Sequence, residues 1–211
     1  MFSLGVMKGT GYSISCTMND DPKHLEFSEI TDVVASVHLI AMLAERVAQE
    51  PIFWKWVVLA AYSGLQGAMV CNLGGTSTLG ALDERSKSSM LEFLESKDQD
   101  NIKSPKHWLA NFDALLKWAQ DPARTPDGAI WKLTKEQRKS LDFLQHVRNE
   151  FTHFKAMSWS IEEGPMIRAV HVALEATERL MLRSPWVRRH AEGDELELLE
   201  SSLAKARQTF G

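Results

Sequence analysis

The chain has 211 residues, which is enough for one domain with a sizeable core, so a single folded unit is expected. An apolar share of 44% and a charged share of 25% exclude a wholly disordered or collagen-like chain. The formal net charge of −4 excludes a protein that binds nucleic acid through an overall positive field, so any contact with RNA has to be local.

The first part of the chain predicts a tail followed by an amphipathic helix. Residues 1–24 are expected to be a flexible tail, because the segment has scattered Gly and Ser and its first 17 residues lack the apolar run of a secretory signal. Over residues 27–49, apolar side chains such as Val33, Val37 and Ile40 recur at three- and four-residue steps. This spacing predicts a helix with one face in the core.

A second helix is predicted over residues 52–71, after Pro51 and before a pair of glycines. Its single charge, Lys55, raises the alternative of a membrane span. Four residues weaken the match to a hydrocarbon environment: Ser63, Gly64, Gln66 and Gly67. Gly64 and Ala68 are small enough to let a neighbouring backbone approach closely. The sequence therefore favours a helix buried among other helices, with no membrane contact.

The middle of the chain predicts shorter elements. A short helix is expected at residues 88–95. Ser104-Pro105 is the pattern of an N-cap followed by a first-turn proline, so another helix is expected to begin there and to carry an apolar stripe through residues 108–118. Pro126-Asp127-Gly128 predicts a turn.

Three more helices are predicted towards the C-terminus. Thr134 followed by Gln137 is a capping box, so a helix should begin there and run to about residue 154. Gly164-Pro165 predicts the start of the next helix, which should stop near Ser184. A last helix is expected at residues 194–208.

These patterns predict an all-α fold, a helical bundle of about five to six helices with antiparallel core helices. No segment alternates as a β-strand does, and no repeat of fixed period occurs. We expect the tail to be followed by a bundle at residues 25–184 and by a helical extension at residues 185–211 that packs on it.

The helix that begins at Thr134 carries the residues most able to do chemistry. One side is apolar and should face the core: Phe143, Leu144, Val147, Phe151 and Phe154. Four polar side chains are expected on the opposite side: Arg148, Asn149, Thr152 and His153. Arg148 and His153 are separated by roughly 140° around an ideal helix. They could line one groove, especially if the helix ends or distorts near His153, or if a second subunit adds its own copy of the face.

The run Arg148-Asn149-Glu150-Phe151-Thr152-His153 resembles the signature of the HEPN (higher eukaryotes and prokaryotes nucleotide-binding) superfamily, in which Arg and a polar residue precede His. The following Ser158 to Glu162 is similar to a bacterial group of that superfamily. The resemblance implies a homodimer whose paired motifs form a cleft. In many members this cleft is a metal-independent endoribonuclease that leaves a cyclic phosphate, and some members are toxin-like.

For this sequence the resemblance implies catalytic roles for Arg148, Asn149 and His153. An imidazole exchanges protons near neutral pH, so His153 is suited to general acid or base catalysis. Arg148 would hold the scissile phosphate, and Asn149 would orient either partner. RNA and an antitoxin-like protein are the candidate partners besides a second copy. The alternative is a non-catalytic HEPN-like module that binds a nucleotide or protein and dimerises.

Other polar features predict no cofactor and no metal. Cys16 and Cys71 lack the spacing of zinc ligands or of a disulfide framework, which favours a reducing cytoplasm. His146 lies on the flank of His153 but is interpreted as a surface residue. The basic and aromatic residues 183–190 are interpreted as the end of a helix with a packed Trp, with a phosphate clamp as the alternative.

Overall fold

The computed structural model describes residues 27–74, 79–97, 99–125, 131–153 and 158–211. This part of the chain is all-α, as the sequence predicts, and its only strand-like pairing is one isolated bridge between Leu82 and Leu109. The predicted tail at residues 1–24 and the turn at residues 126–128 lie outside the described residues. The described helices are α1 (Glu29–Leu43), α2 (Trp54–Gly74), α3 (Glu84–Glu95), α4 (Phe112–Trp118), α5 (Lys135–Thr152), α6 (Glu163–Leu182), α7 (Pro185–His190) and α8 (Gly193–Phe210).

The first helix is shorter than its periodicity predicts. It begins after Ser28, whose hydroxyl accepts a hydrogen bond from the backbone N–H of Thr31, and it ends at Leu43 instead of residue 49. Residues 44–49 form turns. Pro51 disfavours helical dihedrals at Glu50, which has φ −131° and ψ 84°, so the chain leaves the helix before the proline.

Helix α2 lies at the centre of the fold, where α1, α5 and α6 pack against it. Leu65, Ala68 and Met69 have no exposed surface. In the part of the chain that the structure describes, one helical stretch, Pro51–Gly74, is long and apolar enough to cross a bilayer by length and composition, and 72% of its apolar window is buried inside the fold. The apolar character of α2 is therefore explained by its packing in the protein core.

The prediction that a helix begins at Ser104-Pro105 is wrong. The backbone N–H of Ala110 donates to the carbonyl of Ala81, so the segment before residue 111 is held in an extended path. Asn111 caps the first turn, and α4 begins only at Phe112. Trp108, expected in the apolar stripe, is 62% exposed.

The sequence signals near the other helices are confirmed more closely. Helix α3 begins at Glu84, four residues before its predicted start, because Asp83 caps it. The Thr134–Gln137 capping box starts α5 as predicted. Helix α8 packs against α1 and α6, and Leu199, Leu203 and Phe210 join the same hydrophobic core as the preceding helices.

Candidate functional site

The candidate site lies on the last two turns of α5. Leu141, Leu144 and Val147 are buried and fix this helix against the core. Asn149 and His153 are exposed, whereas Arg148 is only partly exposed. The amide of Asn149 and the imidazole of His153 are therefore on the solvent side, as expected. The expectation is wrong for Arg148, which lies at the border between the core face and the solvent face.

The guanidinium of Arg148 packs on an aromatic ring from α2. Its Cζ lies 4.6 Å from the centroid of the Tyr62 ring. Its Nη1 donates a hydrogen bond of 3.0 Å to Oδ1 of Asn149. Among the described residues, no carboxylate forms a salt bridge with Arg148. The positive charge is thus held in place without being neutralised by an internal ion pair.

Tyr62 is itself tightly held. Its side chain is 8% exposed, and its ring stacks on Phe112 of α4 with centroids 4.6 Å apart and an interplanar angle of 21°. Burial raises the pKa of the Tyr62 phenol, and this effect outweighs the opposing charge of Arg148. The phenol therefore stays neutral at physiological pH, and the contact with Arg148 is one between a cation and a neutral ring.

His153 stands where the helix ends. Its dihedrals, φ −105° and ψ 101°, are extended, and its backbone N–H donates to the carbonyl of Asn149 at 3.0 Å. The expected end of the helix near His153 is thus what the structure has. The imidazole is exposed and forms no side-chain hydrogen bond with Arg148 or Asn149 in the described part of the chain. The structure joins the side chains of Arg148 and Asn149 and leaves the imidazole of His153 separate from both.

Thr152 shares this end of the helix but has a local role. Its hydroxyl donates to the carbonyl oxygens of Arg148 at 3.0 Å and Asn149 at 3.1 Å. The carbonyl of Asn149 also accepts from the backbone N–H of His153, so the hydroxyl adds a second donor at the end of α5. The Thr152 side chain therefore stabilises the backbone that carries the motif.

A cavity of about 550 Å³ lies next to the motif and was not foreseen from the sequence. Phe151 of α5 forms one wall, and its ring lies 5.1 Å from that of Trp159. Trp54 lines the same cavity and donates a hydrogen bond from Nε1 to Oε1 of Glu163. The volume falls within the range of small-molecule and cofactor pockets, roughly 300–1,000 Å³.

A second cavity, of about 400 Å³, includes His146 in its lining, together with Glu150 and Trp159. His146 is exposed, in keeping with its interpretation as a surface residue. Within the described residues, no three His, Cys, Asp or Glu side chains are grouped so that they would hold a metal ion.

Sequence reasoning missed Tyr62 and the cavity around Trp159. Tyr62 is far from Arg148 in the chain, and nothing in its local pattern distinguishes it from the other apolar residues of α2. Comparisons with protein-family models, with curated proteins and with solved structures gave no match. No matching family assigns a function to this chain, so a function has to be inferred from the residues of α5 and from their geometry.

Proposed function

We propose that this protein is a HEPN-like, metal-independent endoribonuclease or RNA-processing protein that acts as a homodimer. The proposal includes the finer architecture predicted from the sequence, a bundle of about five to six helices with antiparallel core helices. The observation that carries it is the end of α5, where a guanidinium that has no ion-pair partner among the described residues and an exposed imidazole lie within two turns of one helix.

These residues suit cleavage of a phosphodiester bond by the neighbouring ribose. His153 would take the proton from the 2′-hydroxyl, whose oxygen then attacks phosphorus. The bond from phosphorus to the 5′-oxygen breaks, a proton from an acid completes the leaving hydroxyl, and a 2′,3′-cyclic phosphate remains. Arg148 would stabilise the charge on the phosphate oxygens. Asn149, hydrogen-bonded to Arg148, would hold that guanidinium in its orientation.

A homodimer would supply the second acid–base group. One protomer offers a single His in this motif, whereas two opposed copies offer a base on one side of the scissile bond and an acid on the other. The described surface beside α5 has apolar side chains suited to such a contact, since Ile52 is 77% exposed and Trp159 is 43% exposed while both line the same cavity.

The direct test is RNA cleavage by the purified protein in the presence of EDTA. General acid–base catalysis contributes about 10²–10⁴-fold, so His153→Ala should lower the rate by at least about 100-fold. Arg148→Ala should act in the same direction. His146→Ala and Arg189→Ala, which remove exposed side chains of the same types, should leave the rate near that of the wild type. Equal rates in wild type, Arg148→Ala and His153→Ala would remove the site assignment.

A mixing experiment tests the dimer. Wild-type and His153→Ala protomers, unfolded and refolded together, should form mixed dimers whose shared cleft holds one imidazole and therefore lacks either the base or the acid. The rate of such a mixture should fall with the square of the wild-type fraction. A rate that falls only in proportion to that fraction, with mixed dimers present by mass spectrometry, would show that His153 acts within one protomer.

The second candidate is a non-catalytic module that binds a protein or nucleotide through the same region. The cavity of about 550 Å³, with the exposed Trp159 ring on its wall, favours this candidate. A stable dimer that cleaves no RNA in a broad substrate panel, and that dissociates when Trp159→Glu is introduced, would support it over the ribonuclease.

A further inference from the structure

The guanidinium of Arg148 lies over the ring of Tyr62, with its Cζ 4.6 Å from the ring centroid. We propose that Tyr62, backed by Phe112, is a positioning residue whose ring face holds Arg148 ready to receive a phosphate. This inference rests on the proposed function, in which Arg148 binds the scissile phosphate. It goes beyond the motif, because Tyr62 lies on α2 and Phe112 on α4.

The kind of contact matters for that role. A carboxylate partner would occupy N–H donors of the guanidinium and would offset its charge. An aromatic face attracts the cation through the electrons of the ring and uses none of the five N–H donors. Only one Arg148 nitrogen, Nη1, donates to Asn149 in the described part of the chain. The remaining donors and the full charge stay available for phosphate oxygens.

The ring is also rigid enough to fix a direction. Tyr62 is buried on the central helix, and Phe112, which is buried as well, covers one face of its ring. The guanidinium of Arg148 lies over the same ring, 4.6 Å from its centroid. A long arginine side chain normally loses much rotamer freedom when it binds a ligand. Packing on a fixed ring removes part of this freedom before the ligand arrives, which favours the transition state of the reaction.

The ring is needed for this role, and the hydroxyl is not. The phenol stays neutral because burial raises its pKa, so it does not act as an anionic partner for Arg148. Tyr62→Phe should therefore keep the positioning, whereas Tyr62→Leu should lose it. Phe112→Leu is the matched control: it removes a buried ring from the same stack, yet leaves the face that touches Arg148.

Two measurements report separately on the position of the Arg148 guanidinium and on catalysis. The first is the NMR signal of the Arg148 Nε–H group, which the Tyr62 ring current should shift and which Arg148→Lys identifies by its disappearance. The second is the steady-state cleavage of an RNA oligonucleotide. A cation–π contact contributes about 0.5–2 kcal/mol, which corresponds to a loss of about 2- to 30-fold in kcat, with a smaller change in KM.

Tyr62→Leu should abolish the ring-current shift of the Arg148 signal and lower kcat by the factor given above. Tyr62→Phe should keep both the shift and kcat, and Phe112→Leu should largely keep them. An unchanged shift in Tyr62→Leu, or an equal loss of kcat in Tyr62→Leu and Phe112→Leu, would overturn the proposal.

If Tyr62→Leu does not fold, pentafluorophenylalanine at position 62 is the second variant, because it keeps the shape of the ring and reverses its electrostatics. This variant should have a lower kcat than Tyr62→Phe. An equal kcat in the two variants would overturn the proposal. If the wild type cleaves no RNA, the proposed function fails, while the shift still decides whether Tyr62 positions Arg148.

Discussion

Gly67 lies where α2 packs directly on α1, and a methyl group added there tests that contact. An alanine Cβ at position 67 would lie 2.7 Å from Cγ2 of Val33, which is closer than normal carbon contact of roughly 3.5–4.0 Å. Val33 is fully buried and β-branched, so its side chain has little freedom to move. Overpacking costs about 1–3 kcal/mol, whereas replacing a helical Gly with Ala gains about 1 kcal/mol. We expect Gly67→Ala to lower the free energy of unfolding by about 1 kcal/mol.

Gly64→Ala is the control on the same helix. Its Cβ would lie 3.3 Å from Cβ of Ser36, so the neighbour has to give only a little. The gain in helix propensity then offsets the cost, and stability should change little. Urea titration followed by circular dichroism measures both variants, provided that the slopes agree. If Gly67→Ala were as stable as Gly64→Ala, the packing of α1 on α2 described above would be wrong.

Further predictions concern the core and the helix starts. Burial raises the pKa of the Cys71 thiol to about 12. In a Cys16→Ser variant, a maleimide at about pH 8 should therefore label Cys71 only after the protein unfolds. Rapid labelling of the folded protein would contradict the burial of Cys71. Trp54 is buried, so Trp54→Ala should lower the free energy of unfolding by about 3–5 kcal/mol. Trp56 is half exposed, so Trp56→Ala should lower it by less than about 1 kcal/mol. Equal losses of stability in urea titrations would refute this difference. Thr134→Ala removes the capping box of α5 and should cost about 1 kcal/mol, read as a lower thermal midpoint, and no change would show that the cap is unimportant.

Local signals in the sequence predicted the helices well where one physical cause dominates. Thr134 and Gln137 satisfy each other's backbone donors within one turn, so the start of α5 is readable without any tertiary contact. The all-α class follows from the same kind of periodicity. Ser104-Pro105 misled because Ala81 and Ala110 pair across the chain, and such a pairing between distant segments leaves no local pattern.

The same difference between local patterns and contacts of distant segments applies to the candidate site. The sequence placed Arg148, Asn149 and His153 on one helix, and it gave the break near His153 as a condition for a groove. It could not place the guanidinium on the ring of Tyr62, because that contact joins α5 to α2 across the core. The border position of Arg148 could have been predicted, because Arg148 follows the buried Leu144 by four residues and the buried Leu141 by seven, and both steps return to nearly the same side of a helix.

The most direct measurement is the product of RNA cleavage in EDTA, analysed by mass spectrometry, with a matched substrate that lacks the 2′-hydroxyl at the cleaved nucleotide. Attack by the ribose oxygen requires a 2′,3′-cyclic phosphate from the RNA, no cleavage of the deoxy substrate, and loss of the product in His153→Ala. Cleavage of the deoxy substrate at the same rate, or a cyclic phosphate formed equally well by His153→Ala, would contradict the proposed role of His153 at the end of α5.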